Sequence, residues 1–235
     1  MIGDNSVVEI PSELDGVRIN RIYGHQTALL GGGTSFTGAF QNSRLTSVTI
    51  PDSVTIIGTE AFEGNRLTSI SMGNNVTSIG NEAFARNQLT NVIIPDSVTT
   101  IGASVFVGNR ISSITIGNSV TTIGRFAFSG NQITSVTIPD SVTTIEEGAF
   151  RRNQLTSVII GNGVTAIGPE AFARNQLTSI TIPANVRRIG AGAFANNRGL
   201  TSVVIPFPTL TQADFAWGGT AWRNGVNQNV IVPTP

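Results

Sequence analysis

Few side chains in this sequence could do chemistry, and they are poorly gathered. The single histidine, His25, has the single tyrosine, Tyr23, close by, but the only carboxylate within ten residues on either side is Asp15. General acid–base or nucleophilic catalysis needs a nucleophile, a base and a group that orients the base, so His25 reads as an exposed loop residue. Cysteine is absent, which removes thiolate nucleophiles, disulfides and cysteine-ligated zinc together. Gly31-Gly32-Gly33-Thr34-Ser35 has the composition of a phosphate loop but lacks the lysine and the following helix, and reads as a loop tip. Glu60, Glu82 and Glu170 share one position of a recurring pattern, and paired carboxylates can hold calcium. Ser104, Phe126 and Gly148 interrupt that column, so a solvated face is the expectation. Asn75-Val76-Thr77 is a lone glycosylation sequon with little meaning by itself. The sequence therefore predicts no enzyme, no metal and no cofactor.

Composition narrows the partners. Fourteen arginines, with no lysine, balance 14 acidic residues, and only 12% of the chain is charged. No global field recruits nucleic acid or anionic lipid, so electrostatic recognition must be local. Hydrophobic residues make up 40%, ample for a continuous core. The stretch Met1-Ile2-Gly3-Asp4-Asn5 lacks the basic and apolar pattern of an export signal, and no window reaches 18 apolar residues. Membrane insertion is not expected.

The dominant signal is a repeat of 22 residues. Copies begin at Leu45, Leu67, Leu89, Ile111, Ile133, Leu155 and Leu177, and at Leu200 after one extra residue near Gly199. Ile133-Thr134-Ser135-Val136-Thr137-Ile138-Pro139 is typical, and Val142, Ile145, Ala149, Phe150 and Asn153 recur behind it. Phe62, Phe84, Phe106, Phe128, Phe150, Phe172 and Phe194 keep the period, as do Asn65, Asn87, Asn109, Asn131, Asn153, Asn175 and Asn197. A slower beat alternates Pro51-Asp52, Gly73-Asn74, Pro95-Asp96, Gly117-Asn118, Pro139-Asp140 and Gly161-Asn162, as duplication of a two-repeat unit would leave it.

These residues dictate local structure. Thr, Val and Ile favour strands, successive side chains alternate between faces, and Pro or Gly stops each strand. Val136 and Ile138 should point inward and Thr137 outward. The Gly-x-x-Ala-Phe segment is too short for a stable helix and is expected to form one helical turn that inserts the Phe. A single turn buries too little to offset its ordering entropy, so the turns must stack. A buried Asn must then pair with backbone of adjacent turns. Ile10-Pro11 corresponds to Ile50-Pro51, with extra residues near Glu13 to Val17 and between Tyr23 and Gly38. Val230-Ile231-Val232-Pro233 matches Val203-Val204-Ile205-Pro206, giving ten rungs, the first and last imperfect.

Leu-Thr-Ser-Val-Thr-Ile-Pro-Asp-Ser-Val-Thr-Thr-Ile-Gly followed by Ala-Phe resembles the BspA-type, or Treponema pallidum-type, leucine-rich repeat over residues 6–206. Many members of that family carry Cys where this chain has Asn. The resemblance implies a leucine-rich-repeat solenoid, expected to be right-handed, with a parallel sheet on one face and short helical turns and a Phe stack behind it. One domain, 1–235, is expected. It comprises an irregular cap at 1–44 with an inserted loop at 24–38, seven regular repeats at 45–199, and a final repeat and cap at 200–235. The resemblance also implies bacterial or protist surface proteins, often adhesive.

Two surfaces are candidate sites. The outward mid-strand position holds Thr49, Ser71, Ile93, Thr115, Thr137, Ile159 and Thr181, followed by Val204, a neutral strip rich in hydroxyls. Arg66, Arg86, Arg110, Arg152 and Arg174, with Arg44 and Arg198, gather at the corner before the strand, and Asp52, Asp96 and Asp140 at the corner after it. A basic edge of this kind suits sulfated or sialylated glycans or acidic protein patches. Phe126 and Val107 are the candidates for a small apolar contact patch. The expected function is a monomeric, non-catalytic protein-binding or adhesion module of a bacterial cell-surface protein, extracellular, contacting a protein, a matrix component or a glycan. The alternatives are a structural spacer that displays other domains, or a glycan- or ice-binding surface made by the Thr strip itself.

Overall fold

The computed structural model describes residues 7–14, 17–28 and 34–204. The chain winds into stacked turns whose period is carried by two columns of parallel strands. The face column comprises Val7–Glu9, Ser47–Thr49, Ser69–Ser71, Asn91–Ile93, Ser113–Thr115, Ser135–Ile138, Ser157–Ile160, Ser179–Thr181 and Ser202–Val204. Its register follows the repeat, Val136 against Val158 and Thr137 against Ile159. Side chains alternate as a strand requires: Val136 and Ile138 are buried and Thr137 between them is exposed.

The second column arises from the Val-x-x-Ile half of each repeat, which the sequence did not mark as strand. The two-residue strands from Arg21–Ile22 and Ile56–Ile57 through Arg188–Ile189 form one continuous eight-stranded parallel sheet. The face column, by contrast, is broken at every second step, into a three-stranded sheet and three pairs. Between the columns lies the core. Phe40 and the seven periodic Phe rings stack at 5.2–5.5 Å between centroids, with interplanar angles of 1–14°, an offset-stacked geometry.

Two expectations are corrected. No helix occurs among the described residues, and the Gly-x-x-Ala-Phe segment is a tight turn. Glu60 sits at φ +55° and Gly64 at +67°, conformations that a right-handed helix cannot contain. The N–H of Phe62 donates to the carbonyl of Ala83 in the next turn, 2.8 Å away, so hydrogen bonds that would close a helix run between turns instead. The ten rungs become seven complete turns, from Leu45 to Asn197, each with a face strand, a second strand, a Phe and an Asn. The first turn is stretched over 7–40 by two antiparallel hairpins, Glu13–Leu14 with Val17–Arg18 and His25–Ala28 with Thr34–Thr37. The hairpin replaces the expected loop at 24–38, and Ile22 still pairs with Ile57 across it. At the other end, only residues 200–204 of the following turn are described, with the strand Ser202–Val204, and the match at Val230 to Pro233 lies outside the described residues.

Candidate functional site

The corner between the Phe and the next strand is built on asparagine. The amide Nδ2 of Asn131 donates to the carbonyls of Phe128 in its own turn and Phe106 in the turn before, at 3.1 and 2.9 Å. Its Oδ1 accepts the N–H of Ile111 at 3.1 Å. Each periodic Asn repeats this arrangement and is buried. A neutral amide supplies two N–H donors and a carbonyl acceptor, where a cysteine at this corner would supply only one weak donor and a weak acceptor.

Arginines flank the asparagines in two staggered columns, all exposed. Arg66, Arg110 and Arg198 follow their Asn, while Arg86, Arg152 and Arg174 precede it at φ +55° to +59°, where other turns have Gly64, Gly108 and Gly130. Arg86 is held by Glu63 of the preceding turn at 2.8 Å. Near the C-terminal end of the described turns, Arg152, Arg174 and Arg198 line an open cleft of about 860 Å³ with Gln154 and Gln176. The two glutamines are site residues that the sequence reading missed, though they recur one place after the Asn.

The opposite corner is spent on the fold. The carboxylates of Asp52, Asp96 and Asp140 accept the backbone N–H of Asn74, Asn118 and Asn162 at 2.7–2.8 Å. The expected acidic edge thus serves as a chain of inter-turn links.

Along the face column, Thr49, Ser71, Ile93, Thr115, Thr137, Ile159 and Thr181 are all exposed, and Val204 is half-buried. Ile93 and Ile159 stand 61% and 65% exposed, flat beside Thr115 and Thr137. A second threonine column, absent from the sequence reading, runs beside the other sheet through Thr77, Thr99, Thr121, Thr143 and Thr165. Each of its hydroxyls donates to the carbonyl of the threonine one turn earlier at 3.0–3.1 Å. The hydroxyls of Thr115, Thr137 and Thr181 make no such bond among the described residues. One threonine column is committed to the backbone and the other faces outward uncommitted.

The remaining candidates lie outside the face column of strands. Glu60 accepts from the side chain of Gln41 at 3.0 Å and Glu170 pairs with Arg151 at 2.9 Å. The ring of Phe126 lies on Gly148, where an added Cβ would come within 2.2 Å of it. Phe126 is therefore half-buried against the next turn, and Val107 is likewise half-buried. His25 lies in the hairpin strand His25–Ala28, and Gly31 to Gly33 lie outside the described residues. Among the described residues, no group of three or more His, Asp or Glu side chains gathers to hold a metal, and no helix is long and apolar enough to cross a membrane.

Stacked 22-residue turns with a leucine at the start of the strand, a parallel face and an aromatic column define a leucine-rich-repeat β-solenoid. The chain belongs to the BspA type leucine rich repeat family, whose model matches residues 36–153 and 99–215. Among solved structures it is similar to a leucine-rich repeat protein from Bacteroides ovatus, with 21% identity and a TM-score of 0.61, covering 87% of this chain and 64% of that one. It thus spans less than two thirds of that neighbour's length. It is also similar to the pneumococcal vaccine antigen PcpA, at 16% identity and a TM-score of 0.52, covering 85% of this chain and 71% of that one. The Treponema pallidum leucine rich repeat protein matches at 21% identity and a TM-score of 0.40, over 86% of this chain and 70% of that one. No curated protein matches the sequence.

Proposed function

We propose that this chain is a non-catalytic binding module of a bacterial cell-surface protein, and that the face strip through Thr49, Ser71, Ile93, Thr115, Thr137, Ile159 and Thr181 is its contact with a protein partner. The observation that carries the reading is the contrast between the two threonine columns. Hydroxyls needed by the fold are bonded to the preceding turn, whereas those of Thr115, Thr137 and Thr181 are exposed and uncommitted. Ile93 and Ile159 add the exposed apolar contacts that a neutral protein interface uses. The strands anchor their buried side chains, such as Val136 and Ile138, in the same core as the stacked Phe rings, which favours binding at a low ordering cost. A surface location accords with the pneumococcal vaccine antigen that shares the fold. The module would act as one monomeric domain.

Replacing Thr115, Thr137 and Thr181 with Glu tests the assignment in a cell- or matrix-binding assay. Partner binding is expected to disappear while the thermal midpoint stays nearly unchanged, since the positions are exposed. Binding retained by a folded triple variant removes this face from consideration and favours the spacer role.

A further inference from the structure

We propose that the cleft formed by Arg152, Arg174 and Arg198 is a second, separate binding site, for an anionic polysaccharide carrying carboxylate or sulfate groups. The comparison with Arg86 is what singles these residues out. Arg86 occupies the same place in its turn as Arg152 and Arg174, and Glu63, one turn back, neutralises it at 2.8 Å. The residues equivalent to Glu63 are Ser129 for Arg152 and Arg151 for Arg174. Neither is an acid, and Arg151 is itself a cation, paired with Glu170 at 2.9 Å. Arg198 also pairs with no carboxylate among the described residues. Three guanidinium groups on successive turns thus line one cleft with no internal counter-ion.

The backbone adds a second argument. Arg152 and Arg174 sit at φ +55° and +59°, a conformation that glycine adopts freely and that Gly64, Gly108 and Gly130 supply at the same place. Arginine there is less favourable than glycine by the steric cost of the left-handed region. Two consecutive turns carry it nevertheless, and neither side chain forms a hydrogen bond or ion pair among the described residues.

The lining selects the class of ligand. Successive turns are 5.3–5.5 Å apart at the Phe rings, so Arg152 and Arg174 stand one turn apart in one column, and Arg198, in the following turn, is offset into the other column across the same cleft. Gln154 and Gln176 beside them offer donors and acceptors for hydroxyl groups. No apolar side chain lines the cleft, so it lacks the pocket that a peptide side chain would fill. Staggered charges on three successive turns, with amides between them and an open mouth, fit a linear sugar chain bearing repeated anions. Guanidinium forks bind carboxylate and sulfate oxygens in pairs.

The test uses the full chain and a variant combining R152G, R174G and R198Q. Glycine is native at the first two positions in other turns, so the fold should persist, as circular dichroism and the thermal midpoint would verify. The probes are a heparin hexasaccharide, an oligogalacturonate of similar length, neutral dextran and polyglutamate, each titrated at low and at physiological salt. The wild-type chain should bind one or both anionic sugars and not dextran, and the variant should lose about 10- to 100-fold in affinity. Which anionic sugar binds distinguishes sulfate from carboxylate recognition. A control combining R18Q, R187Q and R188Q removes the same charge elsewhere and should lose less than about threefold. Equal losses in both variants, no binding of either sugar by the wild-type chain, or equal binding of polyglutamate would each overturn the proposal. Because the face-strip glutamate variant leaves these arginines intact, its failure and the failure of this site can be told apart.

Discussion

Gly117 lies so close under Pro95 that a Cβ added to it would come within 2.2 Å of the Pro95 carbonyl oxygen. Gly73 and Gly161 stand in the same relation to Pro51 and Pro139, at 2.6 and 2.5 Å. The alternation of Pro-Asp and Gly-Asn corners is therefore a packing rule: a turn with proline is followed by one that can approach it closely. The face sheet follows the same beat. Asn91–Ile93 pairs with Ser113–Thr115, and Ser135–Ile138 with Ser157–Ile160, whereas the intervening steps are unpaired.

Gly117→Ala should lower stability by about 2–3 kcal/mol, the cost of overpacking a rigid site. Gly130 is the control, because nothing lies nearer than 3.9 Å to its added Cβ and only the left-handed backbone at φ +70° opposes it. Gly130→Ala should cost about 1 kcal/mol. Chemical denaturation of both variants checks the order, and a larger loss at Gly130 would contradict this packing rule.

The Asp96 carboxylate accepts the N–H of Asn118 at 2.8 Å on an exposed corner. Asp96→Ala should lower stability by about 1 kcal/mol, as for one exposed charge-assisted bond. Distant sites add, so the triple variant at Asp52, Asp96 and Asp140 should lose about three times as much. No change in the denaturation midpoint of the triple variant would mean that these carboxylates do not link the turns.

Phe128 is fully buried, with Phe106 at 5.4 Å and Phe150 at 5.3 Å on either side. Phe128→Ala should cost about 3–5 kcal/mol by removing a large core side chain and leaving a cavity. A measured loss below about 1 kcal/mol would be incompatible with a close-packed ring at this place.

Asn131→Ala would leave the Ile111 N–H without its partner and remove donors from the carbonyls of Phe106 and Phe128, all inside the molecule. A loss of about 1–3 kcal/mol is expected, the cost of stranding the buried Ile111 N–H, because the carbonyls of Phe106 and Phe128 keep the amides of Asn109 and Asn153 as donors. Hydrogen exchange at Ile111 should accelerate with it. Unchanged protection at that amide would show that the side chain is dispensable.

Much of this molecule was legible in the sequence because each turn must bury the same few side chains. The 22-residue spacing of Phe and Asn set the stacking register, and the alternation at Val136, Thr137 and Ile138 fixed which face is exposed, since strand side chains alternate strictly. The match of Ile10-Pro11 to Ile50-Pro51 put extra residues near Glu13 to Val17 and between Tyr23 and Gly38, where the two hairpins lie. The helical expectation failed because local propensity cannot see an acceptor one turn away: the Phe62 N–H finds the Ala83 carbonyl, and positive φ at Glu60 aims it there. Threonine columns that look alike in the sequence also differ in the fold, Thr143 bonded to the preceding turn and Thr137 free.

The sequence by itself determined the period, the core and the exposed strip, because those follow from apolar spacing along the chain. Tertiary structure alone decided that Asp96 is a link rather than a free acid, that Pro95 and Gly117 form a close pair, and that Arg152, Arg174 and Arg198 share one cleft while Arg86 is neutralised. Those properties depend on which residue stands one turn away in space, and distances across turns are fixed only when the turns stack.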